Sequence, residues 1–222
     1  VYRTELWFLR YGAVWMFAFF CVIVFQLHES WHSRGLFLFM FLLALPLLLQ
    51  PFLFPEITGE GNVPLARRFC LKATVWVAIF SFIGNWWYTH YFYSVLGAHY
   101  TMTSWDANGV PIPMYFATHF YFCFYHVLGN CVLRRIATSL PATPQRHCFS
   151  ALAVLCAAYT TAFMETFTIA AYPCYRFDDY HHTATVGSAF YGIYFIVSFP
   201  MFFRISGGSW GGMEVSKSPP AT

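Results

Sequence analysis

Charge is what this sequence has least of. Its 222 residues include twelve Lys or Arg and nine Asp or Glu, 9% of the chain, where soluble domains average about 25%. So few charges cannot keep a surface of this size in water, so a soluble globular fold is excluded. A formal net charge of +3 without a long basic run offers little to a phosphate backbone, and no nucleic-acid partner is expected. A C-x-x-C pair is absent and the seven cysteines are odd in number. They read as small apolar packing residues, with no disulfide or zinc framework. No internal repeat is visible, which argues mildly against the repeated halves of many transporters. Nothing in the pattern bears on oligomeric state.

Apolar surface is there in excess: 59% of residues are hydrophobic and 23% aromatic. Six apolar runs, 6–27, 36–54, 73–92, 114–133, 149–172 and 184–203, each have about the 20 residues a helix needs to cross a bilayer. The expected fold is all-α: a multi-pass bundle of about six transmembrane helices over residues 1–206. Residues 207–222 form a Gly/Ser/Pro-rich tail expected to be disordered. The first run is too long for a cleaved signal peptide and leads into His28, Glu29 and His32, not a small-residue cleavage site. With six spans, one side collects ten Lys or Arg (3, 10, 67, 68, 72, 134, 135, 146, 204 and 217) and the other only Arg34 and Arg176. The positive-inside rule then puts both termini in the cytosol. Pro46 and Pro51 are expected to kink or end the second span. The stretches EITGEGNVP (56–64) and DANG (106–109) read as turns.

Polar side chains inside the runs are the candidates for function, because each costs free energy in hydrocarbon unless it faces a partner or a cavity. Thr161, Glu165, Thr168 and Tyr172 recur at helical spacing on the fifth span, His119, Cys123, His126 and Asn130 on the fourth, and Ser81, Asn85, Tyr88 and Thr89 on the third. Three such stripes can meet around a shared interior. The plainer reading is that Ser, Thr, Asn and His join helices by hydrogen bonds. Glu165 stands apart as the one acid deep within a run, a functional-site signal by default. His90, Trp86 and Trp87 lie in GNWWYTHYF (84–92), while Trp105 and Tyr125 flank the same region. The tryptophans also suit interface anchoring or core packing. HESWH (28–32) fits the zinc-protease pattern H-E-x-x-H. It sits just past the first span without an evident third ligand, so a solvated helix end is the preferred reading and no metal is expected. His181 and His182 lack the repeated clusters a di-iron site requires.

The stretch from Leu71 to Ile136 resembles the cycloeucalenol cycloisomerase family. The likeness is carried by GN and THYF (Gly84, Asn85, Thr89 to Phe92), VLGA (95–98), SW (104–105), TH (118–119), FYH (124–126) and LRR (133–135). It continues in ET (165–166) and YFIVSFPMFFR (194–204) and covers about residues 68 to 204. The family differs in extending past the final Phe-Arg into a longer tail with another hydrophobic stretch, and HESWH is not part of its pattern. The resemblance implies a sterol-biosynthesis isomerase of the endoplasmic-reticulum membrane that opens the 9,19-cyclopropane ring of cycloeucalenol to give obtusifoliol. Its partners would be the sterol and the lipid bilayer.

Such a reaction needs a proton donor, a dry cavity and a base, and no cofactor. Desolvation favours the neutral form of a carboxyl, the state a donor requires, so Glu165 is the expected acid. His126, His119 or His90 would accept or steer the departing proton. Asn85, Trp86, Trp87, Tyr88, Trp105, Tyr125, Asn130, Thr161 and Thr168 are expected to line the sterol pocket, their aromatic faces stabilising a cation without trapping it. Two alternatives stay open: a sterol or lipid transporter, and a metal-dependent membrane hydrolase using HESWH.

Overall fold

The computed structural model describes residues 1–170 and 174–207. Six long helices make up the bundle: α1 (Tyr2–Val24), α2 (Ser33–Leu53), α3 (Phe69–Trp87), α4 (Ile112–Ser139), α5 (Pro144–Ala170) and, after the three-residue α6 (Tyr180–His182), α7 (Ser188–Ile205). Each falls on one of the predicted runs. The expected tail from 208 onward and Tyr172 of the fifth stripe lie outside the described residues.

Five of these helices, α7 being taken together with the turn before it (Tyr180–Ile205), are long and apolar enough to cross a membrane; α4 is not. The reason is position. α4 packs against each of α1, α2, α3, α5 and α7, so its His119, His126 and Asn130 are buried in protein, not in lipid. The predicted span count thus describes six helices of two kinds: five apolar ones arranged around a more polar axis.

Neither proline ends α2, which continues through Pro46 and Pro51 to Leu53. A proline at 51 cannot donate to the carbonyl of Leu47, four residues earlier. That carbonyl accepts from Thr74 Oγ1 of α3 instead, at 3.5 Å. The Tyr11 hydroxyl of α1 donates to Leu43 O at 2.7 Å, a second bond from a neighbouring helix onto α2.

The 56–64 connector does more than turn. Glu60 reaches the start of α3, where its two carboxylate oxygens accept the backbone N–H groups of Phe69 and Cys70, donors that a helix N-terminus leaves unpaired. Burial alone would raise the Glu60 carboxyl, but hydrogen bonds from Cys70, Phe69 and Thr58 outweigh it and hold the group below its ordinary value of 4.5. A lowered folded-state pKa means that the stabilisation is complete above 4.5 and is lost as pH falls through the folded value. Glu60→Gln is therefore expected to cost about 1 kcal/mol of stability at pH 7. Thermal unfolding in detergent should show the gap to the wild type narrowing below pH 4.5, and a gap that widens there would contradict the capping role.

At the same end of the bundle Glu5 of α1 is buried and accepts hydrogen bonds from Arg134 and Asn130 of α4. Asn130 Oδ1 in turn accepts from Ser206 Oγ at 3.0 Å. Three helix ends are tied together beside the basic loops.

At the opposite end the chain builds a cover. α3 stops at Trp87, short of the predicted 92, and a widened turn at Tyr91–Val95 leads to β1 (Ala98–Tyr100). Asn108 Nδ2 donates to Trp86 O, satisfying one of the carbonyls that the last turn of α3 exposes. DANG is the tip of a hairpin joining β2 (Asp106–Ala107) to β3 (Val110–Pro111). Asn108 and Gly109 have φ of +56° and +74°, as a two-residue type I′ turn requires. β1 pairs antiparallel with β4 (Tyr175–Phe177), Ala98 opposite Phe177 and Tyr100 opposite Tyr175.

Candidate functional site

Beneath this cover, where the C-terminal ends of α3 and α5 meet the N-terminal ends of α4 and α7, lies a cavity with an open volume of about 900 Å³. Its polar wall is Asn85, Tyr88, Thr89, Thr118 and Thr183, and Glu165 reaches into it from α5. Local geometry fixes these groups. Asn85 Nδ2 donates to Ser81 O at 3.0 Å, one turn back on α3, which leaves Oδ1 to face Thr118 Oγ1 at 3.4 Å. Thr118 Oγ1 also lies 2.8 Å from Met114 O.

The carboxyl is held from one side. The Tyr191 hydroxyl donates to Glu165 Oε2 at 3.1 Å. Tyr191 belongs to an aromatic group with Tyr88 at 5.4 Å and Phe195 at 5.2 Å between ring centroids. The buried Tyr88 hydroxyl has no hydrogen-bond partner among the described residues. Gly84 permits this packing, because a Cβ there would stand 2.4 Å from the Tyr194 hydroxyl oxygen.

A second cavity, with an open volume of about 1120 Å³, lies between α1, α4 and α5. Trp15, Phe19, Met40, Phe124 and Tyr125 give it a largely apolar wall. Met114, Tyr121, Glu165, Ile169 and Tyr175 line both cavities. Glu165 thus stands at the seam between them.

Of the residues singled out in the sequence, Glu165, Asn85, Tyr88 and Thr89 meet in the first cavity, and Glu165, Tyr125 and Thr168 line the second. Thr168 Oγ1 is engaged with its own helix, 2.8 Å from Met164 O. The others lie elsewhere. His126 is fully buried, with Nδ1 2.8 Å from Phe122 O and Nε2 2.9 Å from Ser198 Oγ, joining α4 to α7. His119 is buried with Nε2 3.8 Å from Cys123 Sγ. Asn130 belongs to the Glu5 cluster at the far end. Thr161 is half-buried outside both cavities. His90 is exposed, as are Trp86, Trp105 and, at 76%, Trp87. His28 and Glu29 fall in a single 3-10 turn at 27–30 with His32 just beyond it. Among the described residues no group of three or more His, Cys, Asp or Glu is placed to hold a metal.

Sequence reasoning missed Tyr191, Thr118, Tyr121 and Tyr175. In a chain with fifteen tyrosines nothing local distinguishes those that reach the carboxyl from those that pack or face lipid. Only the grouping of Tyr191, Tyr194 and Phe195 within one turn of α7 would have pointed there.

Fold and cavity together define an all-α, multi-pass membrane protein that encloses a carboxyl beneath an aromatic cover. No family model matches the chain, and no solved structure matches it. Its sequence is 39% identical over 218 residues to the cycloeucalenol cycloisomerase of Arabidopsis thaliana, an alignment that covers 96% of this chain and 77% of the relative. The chain belongs to the cycloeucalenol cycloisomerase family and is an enzyme of the isomerase class.

Proposed function

We propose that this isomerase opens the 9,19-cyclopropane ring of cycloeucalenol to give obtusifoliol, with Glu165 as the proton donor. The observation that carries the reading is the Glu165 carboxyl at the seam of the two cavities, hydrogen-bonded through one oxygen to Tyr191. A cyclopropane σ bond is bent and strained, and its electrons can take a proton from a carboxylic acid that is correctly placed. Glu165 gives its proton to the bridging methylene, the C9–C19 bond breaks, and the methylene becomes a methyl group. The tertiary cation left behind loses a proton from a neighbouring ring carbon, whose C–H electrons form the double bond. One proton enters and one leaves, so no redox change occurs.

Such a cation is acidic enough for a weak base to suffice. The cavity offers the Glu165 carboxylate just formed and the Tyr88 hydroxyl. Tyr191, Tyr121 and Tyr175 surround the acid with ring faces that attract a cation. On this reading His126 joins α4 to α7 and His119 is a buried packing residue of α4, and the expected location remains the endoplasmic-reticulum membrane.

The test is product analysis. Purified protein in detergent, given cycloeucalenol, should yield obtusifoliol detectable by gas chromatography and mass spectrometry. Recovery of unchanged sterol, bound or carried across vesicles, would favour a transporter instead.

A further inference from the structure

The two cavities differ in chemistry, and they touch at the acid. The first is edged by amide and hydroxyl groups, Asn85, Tyr88, Thr89, Thr118 and Thr183. The second is walled mainly by hydrocarbon and aromatic rings. Its outer rim, Met16, Phe20 and Ile23 of α1 and Met164 of α5, is exposed. On a helix bundle that spans a bilayer, exposure at that level means contact with lipid. α1 and α5 both pack on α4, and the cavity occupies the space between them. Met114, Tyr121, Glu165, Ile169 and Tyr175 form the wall shared by both cavities.

We infer that the sterol lies across both cavities, its hydroxyl-bearing ring in the first and its alkyl side chain in the second, having entered sideways from the bilayer between α1 and α5. This rests on the proposed reaction and deepens it. A sterol has one hydroxyl at one end, a hydrocarbon chain at the other, and the cyclopropane in the fused rings between them. A molecule matched end for end to a polar cavity and an apolar one has its middle at their seam, and the seam holds the carboxyl. The reversed orientation would put the only hydroxyl among hydrocarbon, away from any hydrogen-bonding partner, at the cost of burying it unpaired.

Two measurements test the inference. Met16→Trp, Ile23→Trp and Met164→Trp add bulk at the lipid-facing rim, where a larger side chain has room. For each, kcat/KM is compared between the full-length cyclopropyl sterol and an analogue whose alkyl side chain is removed. The ratio of the two is expected to fall at least tenfold, through KM for the full-length substrate. A ratio unchanged within twofold would overturn the inference, whether both substrates slow together or neither does. Independently of turnover, a cyclopropyl sterol carrying a diazirine at the end of its side chain should crosslink to peptides of α1 and α5. Labelling confined to residues 88–113 would place the chain in the first cavity and overturn it. If the unmodified protein converts neither substrate, the reaction itself is refuted, while crosslinking still reports the orientation.

Discussion

Glu165→Gln is expected to reduce ring opening by about a thousandfold, within the range by which general acids accelerate reactions. The amide keeps the shape and the Tyr191 contact of the carboxyl but has no proton to transfer. Loss of the acid should appear in kcat with little change in KM, because the interaction removed exists mainly in the transition state. The measurement is rate of product formation per folded enzyme, with unchanged yield and thermal unfolding as the check on folding. Tyr191→Phe removes only the hydrogen bond to Oε2 and should cost about tenfold, the worth of one bond to a charge-bearing group. Turnover by Glu165→Gln near the wild-type rate would sink the role of Glu165 and leave only the family reaction standing.

In heavy water the product is expected to carry one deuterium in the new methyl group in nearly every molecule. The proton reaching the methylene comes from a carboxyl that exchanges with solvent between turnovers, while the hydrogen lost from the ring carbon is not returned there. Mass spectrometry of the product gives the count and NMR the position. Product without deuterium would mean that the proton moves within the substrate or is shielded from solvent throughout the cycle. Deuterium on the ring carbon instead would reverse the proposed order of gain and loss.

The outline of the bundle was legible because lipid as solvent imposes a simple rule of length and polarity. Glu165 was legible for the same reason, as the acid that broke the rule most severely. The spacing of His119, Cys123, His126 and Asn130 showed a polar face on α4, but periodicity cannot say which neighbour a face meets. Near the middle of α4 it meets α7 through Ser198, and one turn later it meets Glu5 of α1. Glu5 itself was hidden by lying at the margin of the first run, where an acid needs no explanation. Trp86 and Trp87 were drawn into the predicted pocket by adjacency to Asn85, yet successive helical positions point about 100° apart and theirs are exposed. The cover of β1, β4 and the hairpin was legible only at DANG, because a three-residue pairing between residues 98 and 177 leaves no local signal.

The polarity of α4 has a bearing on how the protein comes to exist at all. A segment with two histidines, an asparagine and two arginines gains little by leaving water for lipid on its own. Its gain comes from the rings and hydroxyls of five other helices, three made before it and two after. During synthesis α4 therefore depends on α1, α2 and α3 to hold a place for it, and on α5 and α7 to close over it. Its residence in the bilayer belongs to the assembly.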